Sequence, residues 1–241
     1  MDTPLRLTIV IPIFNEAENI VLLSNKLESA IEKINPEFWE VIFVNDGSID
    51  GSTEILNDLV TTRNRFRVIH FDKNYGQTAA FDCGIRSAAG EWIVTMDGDL
   101  QNNPDDISLL ITHRKEGIGC VAGYREKRQD SWLRRISSSI ANTIRNKLSN
   151  DNIRDTGCSL KLFRKEAFNH IKLFEGMHRF LPTLIRMEGY DVVQVPVSHY
   201  PRHRGTSKYG VWNRVFKSFL DLLAVRWMKK RMLTYRIKKT V

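Results

Sequence analysis

The chain has 241 residues, 42% of them hydrophobic, which is enough for one large domain with a full core or for two small domains. Its 36 Lys and Arg outnumber its 28 Asp and Glu, and the net charge of +8 favours an anionic partner such as a nucleotide, a phosphate, a nucleic acid or an acidic membrane. The three cysteines, Cys83, Cys120 and Cys158, are far apart, which argues against a disulfide framework or a cysteine-based zinc site and favours reduced cytosolic thiols.

The N-terminal segment MDTPLRLTIVIPIFNE predicts a first strand rather than a signal peptide. It lacks a basic region before its apolar run, and Pro12 interrupts that run. The longest apolar stretches of the chain fall far short of the roughly 18 residues that a membrane span needs. We therefore expect a chain that does not cross a membrane.

Short apolar runs alternate with helical patterns over the first 125 residues. The runs that predict strands are LRLTIVIPIF, WEVIFVNDGS, FRVIHFD, EWIVTMD and CVAGYR. We expect Asn15 to cap the first helix, Gly90 to end the third, and Pro104 to lie in the first turn of the fourth. This alternation is typical of an α/β protein with a Rossmann-like, doubly wound, mostly parallel sheet.

The second half is less regular and continues as one domain. SWLRRISSSIANTIRNKLS is amphipathic and basic, DTGCSLKLFRKEAF predicts a loop, a strand and a helix start, and HRFLPTLIRMEGYDVVQVPV predicts a helix, a turn at Gly189 and a strand. YPRHRGTSKYG is a basic loop. Without repeats or a clear linker, we expect a single domain over residues 1–210, followed by a basic amphipathic helix and tail over residues 211–241.

Polar side chains directly follow three of the predicted strands. They are Asn15 and Glu16, Asn45 and Asp46, and Asp97 and Asp99. In open α/β sheets, ligands bind at the carboxyl ends of the strands, so these residues are expected to converge on one crevice.

The segment VTMDGDLQNNP places Asp97 and Asp99 two residues apart after an apolar run. Two neighbouring carboxylates repel each other unless a positive charge lies between them. With the amide of Gln101, they are suited to a hard cation, Mg²⁺ or Mn²⁺, that also binds substrate phosphates. The alternative is a helix cap followed by a turn aspartate. A GxGxxG or GxxxxGK[ST] motif is absent, which argues against a dehydrogenase or a P-loop ATPase.

Several segments in order resemble one family: PIFNEAENI, VNDGSIDGS, KNYGQTAAFDCGIRSAAGEWIVTMDGDLQNNP, GYR, DTGCSLKLFRKEAF and RHRGTSKYG. Together they are similar to family 2 glycosyltransferases of the GT-A fold, and most of all to the dolichyl- and polyprenyl-phosphate sugar synthases. The resemblance covers about residues 7–210. No single segment is specific, but the ordered set is.

The resemblance implies roles for the matched residues at the first strand ends. Those expected to bind the nucleotide sugar there are Pro12, Phe14, Glu16, Asp46, Asp97, Gly98 and Asp99. Phe14 stands where the family often has Tyr, so the ring is kept for stacking and the hydroxyl is missing. Asp46 matches the aspartate at the base, and Asp97, Asp99 and Gln101 are the expected metal ligands.

The later motifs imply the rest of the site. Arg125 matches an arginine of the nucleotide-sugar site, and Arg202 and Lys208 match the cations that cover the diphosphate. Asp155 matches an aspartate near the acceptor, so Asp99, Asp155 and Arg202 are the expected catalytic residues. Asp155 is a base if the acceptor is a hydroxyl, and it orients the acceptor if that is an ionised phosphate; a loop Asp capping a turn is the alternative. We interpret three histidines as structural or solvent-exposed: His178, His199 and His203.

The last helix has an apolar side of Trp212, Val215, Phe216, Phe219, Leu220, Leu223 and Trp227, flanked by basic residues. This pattern is typical of a helix on an anionic membrane surface, and a helix packed on its own domain is the alternative. We expect a peripheral protein on the cytoplasmic face of the membrane, held there by the lipid or by a membrane-protein partner.

The resemblance implies an inverting transfer from a nucleoside diphosphate sugar, of the GDP-mannose or UDP-glucose type, to a polyprenyl phosphate. A sugar hydroxyl in cell-envelope polysaccharide synthesis is the alternative acceptor. A non-catalytic basic protein that binds nucleic acid or membrane is a second alternative, against which the intact acidic cluster argues, so we expect no nucleic-acid partner. A nucleotidyltransferase would need a Gly-rich, basic first loop, which this chain lacks.

Overall fold

The computed structural model describes residues 4–126, 152–201 and 211–233, with the backbone alone for residues 211–218. The strands within these ranges are β1 (Arg6–Ile13), β2 (Phe38–Asn45), β3 (Phe66–His70), β4 (Trp92–Thr95), β5 (Ile118–Arg125), β6 (Lys161–Arg164) and β7 (Asp191–Val197). The α-helices are α1 (Ala17–Ile34), α2 (Ser52–Thr62), α3 (Gln77–Ser87), α4 (Asp106–Thr112), α5 (Leu181–Met187) and α6 (Val211–Arg231). Short 3₁₀ turns follow β6, at Lys165–Phe168, and precede α5, at Met177–Phe180.

The strands form one sheet in the order β3-β2-β1-β4-β6-β5-β7. β1 pairs in parallel with β2 and β4, and β5 pairs in parallel with β7. β6 lies between β4 and β5 and is antiparallel to both. The predicted mostly parallel sheet is therefore confirmed, and β6 is the strand that runs in the opposite direction among those described.

The core lies on both faces of the sheet because the strands are apolar on both faces. Along β1, Leu7, Ile9 and Ile11 join a cluster that includes residues of α1, α2 and α4. Val10 points to the opposite face, where the cluster includes residues of α3, α5 and α6. This near-continuous burial is what a strand covered by helices on both faces requires.

Helix α3 packs very closely on the sheet. An ideal Cβ built on Gly84 would lie 2.3 Å from Cγ1 of Val10 and 3.2 Å from Cγ2 of Val44. Ala80, one turn earlier, is fully buried. The small residues of α3 therefore let its axis approach β1 and β2, and this fixes the position of its first turn at the carboxyl ends of the strands.

The predicted cap of the first helix is wrong. Helix α1 begins at Ala17 with Glu16 as its cap residue, and no side chain makes a capping hydrogen bond. Asn15 has φ of 53°, and its Oδ1 accepts a hydrogen bond from the backbone N–H of Ile49 at 2.8 Å. Asn15 is thus used to hold a neighbouring loop, a role that the local sequence does not reveal.

The predictions for Gly90 and Pro104 also fail. Helix α3 ends at Ser87 with Ala88 as its C-cap, and α4 begins at Asp106, two residues after Pro104. A Cβ on Gly90 would lie 2.6 Å from the backbone N of Thr8. Glycine is therefore required at position 90 by the close approach of β1 and not by the end of a helix.

Helix α6 has one buried and one exposed apolar side. Leu222 and Val225 pack into the core with α3 and α5, whereas Phe219, Leu223 and Trp227 are 46%, 40% and 64% exposed. The predicted amphipathic segment of residues 131–149 lies outside the described residues. None of the helices in the described ranges has the length and apolar character that crossing a bilayer requires.

Candidate functional site

The loops after β1 and β2 are joined by hydrogen bonds from main chain to side chain. The backbone N–H groups of Asn15 and Glu16 donate to the hydroxyls of Ser48 and Ser52, at 2.9 and 3.1 Å. The next N–H, of Ala17, donates to Oδ2 of Asp50 at 3.1 Å. Residues after the first strand are thereby fixed by residues after the second.

The predicted nucleotide-binding residues of β1 lie at this junction. Pro12, Phe14 and Glu16 are all half-buried. Oε2 of Glu16 accepts a hydrogen bond from Nδ2 of Asn19 at 2.6 Å, so this carboxylate is oriented by the first turn of α1.

Asp46, at the end of β2, is buried and holds the loop that follows β3. Its carboxylate accepts hydrogen bonds from Nδ2 of Asn74 at 3.0 Å and from the backbone N–H groups of Tyr75 and Gly76 at 2.7 and 2.9 Å. Burial raises the pKa of Asp46 above its usual value, and the two backbone hydrogen bonds partly offset this. A carboxylate has about four lone-pair sites, so at most one remains for the predicted contact with a base.

The loop after β4 brings Asp97 and Asp99 to the same edge of the sheet. Asp97 is half-buried, and its Oδ1 accepts a hydrogen bond from Nε2 of Gln77 at 2.6 Å. Asp99 is 6% exposed, and its Oδ1 accepts from the backbone N–H of Gln101 at 3.2 Å. Leu100, which directly follows Asp99, has φ of 60°, so the loop is held in a conformation that apolar residues rarely adopt.

The surroundings of Asp97 disfavour its ionised form. Burial, followed by the charge of Asp99, raises the pKa of Asp97 to about 6. A hydrogen bond from Ser159 and the charges of Lys161 and Arg125 act in the opposite direction. A cation bound next to these carboxylates would stabilise their ionised forms.

The donor set fits a divalent cation that is shared with a substrate. Nε2 of Gln101 donates to the carbonyl of Tyr200 at 3.3 Å, which leaves the amide oxygen as an acceptor, and Gln101 lines one small cavity together with Asp97. Across the described parts of the chain, no group of three or more His, Cys, Asp or Glu side chains is arranged to hold a metal ion alone. Two carboxylates and an amide, completed by waters and phosphates, suit Mg²⁺ or Mn²⁺ rather than structural zinc.

Arg125, at the end of β5, forms a bidentate ion pair with Asp155. Nε of Arg125 donates to Oδ2 of Asp155 at 2.6 Å, and Nη2 donates to Oδ1 at 2.9 Å. Burial lowers the pKa of Arg125, but the hydrogen bonds and charge of Asp155 outweigh burial and raise it. Both carboxylate oxygens of Asp155 are engaged, so Asp155 is arranged to orient a guanidinium.

A small cavity of about 30 Å³ joins the acidic loop to Arg125. It is lined by Asp97, Gln101, Asn102, Arg125, Gly157, Cys158, Ser159 and His199. Ser159 is central to this wall because its Oγ accepts from the N–H of Asp97 at 3.2 Å and donates to Oδ1 of Asn102 at 2.9 Å.

Four residues of this region were missed by the sequence reasoning: Gln77, Ser159, Lys161 and His199. His199 lines the cavity, and its interpretation as structural or solvent-exposed stays a prediction. Lys161 is a buried lysine on β6, 3% exposed, whose ammonium donates to the carbonyl of Cys158. The only sequence signal for Gln77 and Ser159 is their place inside the matched motifs, since neither residue type suggests a role by itself.

The chain segment that leads into the basic loop is bound to the acidic loop. Asn102 and His199 form an isolated antiparallel bridge, and the N–H of Tyr200 donates to the carbonyl of Gln101 at 2.9 Å. Arg202, His203 and Lys208 follow in sequence and lie outside the described residues, so their roles stay predictions.

Comparisons with known proteins agree with this architecture. A family model described as glycosyl transferase family 2 matches residues 8–172. The chain is 36% identical over 231 residues to the dodecaprenyl-phosphate galacturonate synthase of Rhizobium johnstonii, with 94% of this chain and 68% of the relative covered. It is 32% identical over 209 residues to the undecaprenyl-phosphate 4-deoxy-4-formamido-L-arabinose transferase of Aeromonas hydrophila subsp. hydrophila, with 86% and 64% covered. The chain thus spans about two thirds of the length of these curated relatives.

Solved structures with the same fold have low sequence identity to this chain. A mannosyltransferase from Pyrobaculum calidifontis, in complex with GDP-Man and Mn²⁺, is 20% identical with a TM-score of 0.63, covering 97% of this chain and 66% of its own. Glucosyl-3-phosphoglycerate synthase from Mycobacterium tuberculosis, in complex with Mn²⁺, UDP-glucose and phosphoglyceric acid, is 14% identical with a TM-score of 0.68, covering 95% and 81%. These similarities confirm the predicted GT-A fold.

The buried ion pair provides a test of the role of Asp155. Replacing Asp155 by Asn keeps the shape but removes the charge that neutralises Arg125, so Asp155→Asn is expected to lower the free energy of unfolding by about 3 kcal/mol. Asp82→Asn, in a solvent-exposed pair with Arg86 on α3, should cost less than about 1 kcal/mol. Urea unfolding of both variants measures the difference, and equal stabilities would contradict a structural ion pair at Asp155.

Proposed function

The chain belongs to glycosyl transferase family 2, and on that premise we propose that it transfers a sugar from a nucleoside diphosphate sugar to a polyprenyl phosphate. The observation that carries the proposal is the acidic pair Asp97 and Asp99, held at the carboxyl end of β4 next to Arg125. The two curated relatives are both named for transfer to a polyprenyl phosphate, which supports a lipid phosphate as the acceptor.

The donor is proposed to lie across the carboxyl ends of the strands. Phe14 offers a ring at the end of β1, and Asp46 retains one acceptor site at the end of β2. We keep the GDP-mannose or UDP-glucose type as the donor class, and the names of the relatives add galacturonate and 4-deoxy-4-formamido-L-arabinose to the sugars to be screened.

We propose that Asp97, Asp99 and Gln101 hold a divalent cation, Mg²⁺ or Mn²⁺. Two solved structures with this fold contain Mn²⁺, which supports a divalent cation here. When bound, such a cation neutralises charge on the diphosphate as it departs. Gln77 and Ser159 form hydrogen bonds with Asp97, and the hydrogen bond from the N–H of Tyr200 to the carbonyl of Gln101 places the start of the basic loop next to Gln101. Arg202 and Lys208 are proposed to complete the charge around the diphosphate.

The acceptor phosphate is proposed to attack the anomeric carbon in a single displacement that inverts the configuration. One phosphate oxygen forms the new bond to that carbon while the bond to the diphosphate breaks. Since a phosphate monoester is ionised near neutral pH, no general base is needed. Asp155, engaged by Arg125 through both oxygens, then orients Arg125 rather than taking a proton.

The nucleotide and metal parts of the proposal can be tested by calorimetric titration. GDP, UDP and their sugar conjugates are titrated with Mn²⁺ and with EDTA into wild type, Asp99→Asn and the control Asp105→Asn, whose exposed carboxylate pairs with Lys33. One nucleotide is expected to bind with Mn²⁺, to bind at least about tenfold more weakly in EDTA, and to be lost in Asp99→Asn alone. Absence of nucleotide binding under every condition would contradict the proposed function.

The acceptor can be identified with the donor found in that titration. Sugar transfer is expected with undecaprenyl phosphate in detergent micelles, and not with undecaprenol, because the alcohol lacks the ionised nucleophile. The radiolabelled product is extracted into organic solvent and counted. Equal transfer to both lipids would favour a hydroxyl acceptor and would assign the role of base to another group, with Asp155 tested first.

The second part of the proposal concerns the membrane surface. Phe219, Leu220, Leu223 and Trp227 form an exposed apolar stripe on α6, and Lys229, Lys230 and Arg231 follow at its C-terminal end. An apolar stripe next to cations is what an anionic lipid surface recognises. We therefore propose peripheral attachment to the cytoplasmic leaflet through α6. The membrane-protein partner expected from the sequence stays a prediction.

Vesicle sedimentation tests this surface. The double variant Leu223→Ala, Trp227→Ala is expected to bind vesicles containing phosphatidylglycerol about tenfold more weakly than wild type, since it loses the insertable side chains. Ile49→Ala is the control because Ile49 is 90% exposed and lies in the β2–α2 loop. Binding should also fall as salt rises. Equal loss in both variants, or no loss in either, would rule out the α6 stripe as the attachment site.

A further inference from the structure

The first residue of α3 contacts the acidic loop although it is 20 positions away in sequence. Nε2 of Gln77 donates a hydrogen bond to Oδ1 of Asp97 at 2.6 Å. Gln77 is exposed to solvent, so its contact with Asp97 is not a consequence of packing in the core.

The main chain around Gln77 is fixed on both sides. The N–H of Gly76 donates to Oδ2 of Asp46 at 2.9 Å. On the other side, Oγ1 of the buried Thr78 lies 2.6 Å from Nδ1 of His178 and accepts from the N–H of Gly176 at 3.0 Å. Close packing of Gly84 on Val10 holds the rest of α3 against the sheet. Gln77 therefore projects from a rigid support, as a residue that orients another side chain must.

The contact is directed at the carboxylate that lines the small cavity together with Gln101 and Arg125. Asp97 is two residues from Asp99, so a donor that faces it offsets part of the repulsion between the two carboxylates. Gln77 supplies a hydrogen-bond donor but no positive charge. A positively charged side chain here would compete with a cation for the same carboxylates. Glu at this position could not donate, and a positive residue would bring its own charge.

We propose that Gln77 is a positioning residue for Asp97, which sets the affinity of the site for a divalent cation in the presence of the nucleotide. The inference rests on the proposed function because it assigns a residue to the same metal-dependent donor site. Residues that orient metal ligands in this way typically change metal affinity 10- to 100-fold when they are replaced. The neighbouring Gly76 connects the same turn to Asp46, so α3 supports both the nucleoside end and the metal end of the site.

The test measures Mn²⁺ binding directly. Free Mn²⁺ is followed by electron paramagnetic resonance during titration into wild type, Gln77→Met and Gln77→Ala, each with the nucleoside diphosphate that binds wild type. Gln77→Met keeps the length of the side chain and removes the donor. Asp82→Asn, on the exposed side of the same helix, is the matched control. The dissociation constant for Mn²⁺ is expected to rise 10- to 100-fold in both Gln77 variants and to stay within about twofold of wild type in Asp82→Asn.

Activity against Mn²⁺ concentration separates positioning from a general structural role. A positioning role predicts that the half-saturating Mn²⁺ concentration rises while the rate at saturating Mn²⁺ largely recovers. A folding defect would instead lower the rate at every Mn²⁺ concentration and lower the melting temperature, and this result would overturn the inference. If wild type binds Mn²⁺ and nucleotide and both Gln77 variants bind Mn²⁺ equally well, the inference alone fails. If wild type binds neither, the proposed function fails and the inference fails with it.

Discussion

The repulsion between Asp97 and Asp99 is the constraint around which the site is organised. Burial raises the pKa of Asp97 to about 6, and the neighbouring charge of Asp99 adds to this effect. The surrounding residues reduce the cost without removing it. Gln77 donates a hydrogen bond to the carboxylate of Asp97, and Ser159 accepts one from the backbone N–H of Asp97. The charges of Lys161 and Arg125 also favour the ionised form. The remaining cost of the paired carboxylates favours the divalent cation that we propose for this site.

The reversed strand β6 explains how these stabilising residues reach the site. A parallel strand ends at the carboxyl edge of the sheet, whereas β6 begins there because it runs antiparallel to β4 and β5. Its first residue, Lys161, and the preceding Ser159 are therefore level with the end of β4. The ammonium of Lys161 donates to the carbonyl of Cys158 and so holds the turn that carries Ser159. Burying a lysine in a core strand costs free energy. Here the charge of Lys161 favours the ionised form of Asp97 in the acidic loop.

Local sequence patterns predict the strands and the residues at their ends. They do not predict features that depend on contacts between segments distant in sequence. The strands of the first half follow from their apolar runs, and the expected convergence of Glu16, Asp46 and Asp97 follows from the rule that parallel strands end at one edge. Arg125 was implied only by the resemblance of its motif. The direction of β6 could not be derived, because four residues pair equally well either way until their neighbours are known. Asn15 and Gly90 were assigned to helix ends because the partners that determine them, Ile49 and the backbone of β1, are remote in sequence. Asp155 was identified through its motif, but its partner Arg125 is 30 residues away.

Helix α3 links the proposed membrane surface to the proposed reaction site. Its first residue holds Asp97, and its second, Thr78, accepts a hydrogen bond from the N–H of Gly176. Gly176 lies against α6, since a Cβ built on it would come within 2.1 Å of Oδ2 of Asp221. Helix α6, which carries the exposed apolar stripe, and the acidic loop are thus both connected to α3. In the proposed reaction, a lipid phosphate confined to the membrane surface meets a nucleotide sugar that arrives from water. Such a transferase needs a fixed relation between the helix proposed to face the lipid and the proposed donor site, and the contacts of α3 connect the two.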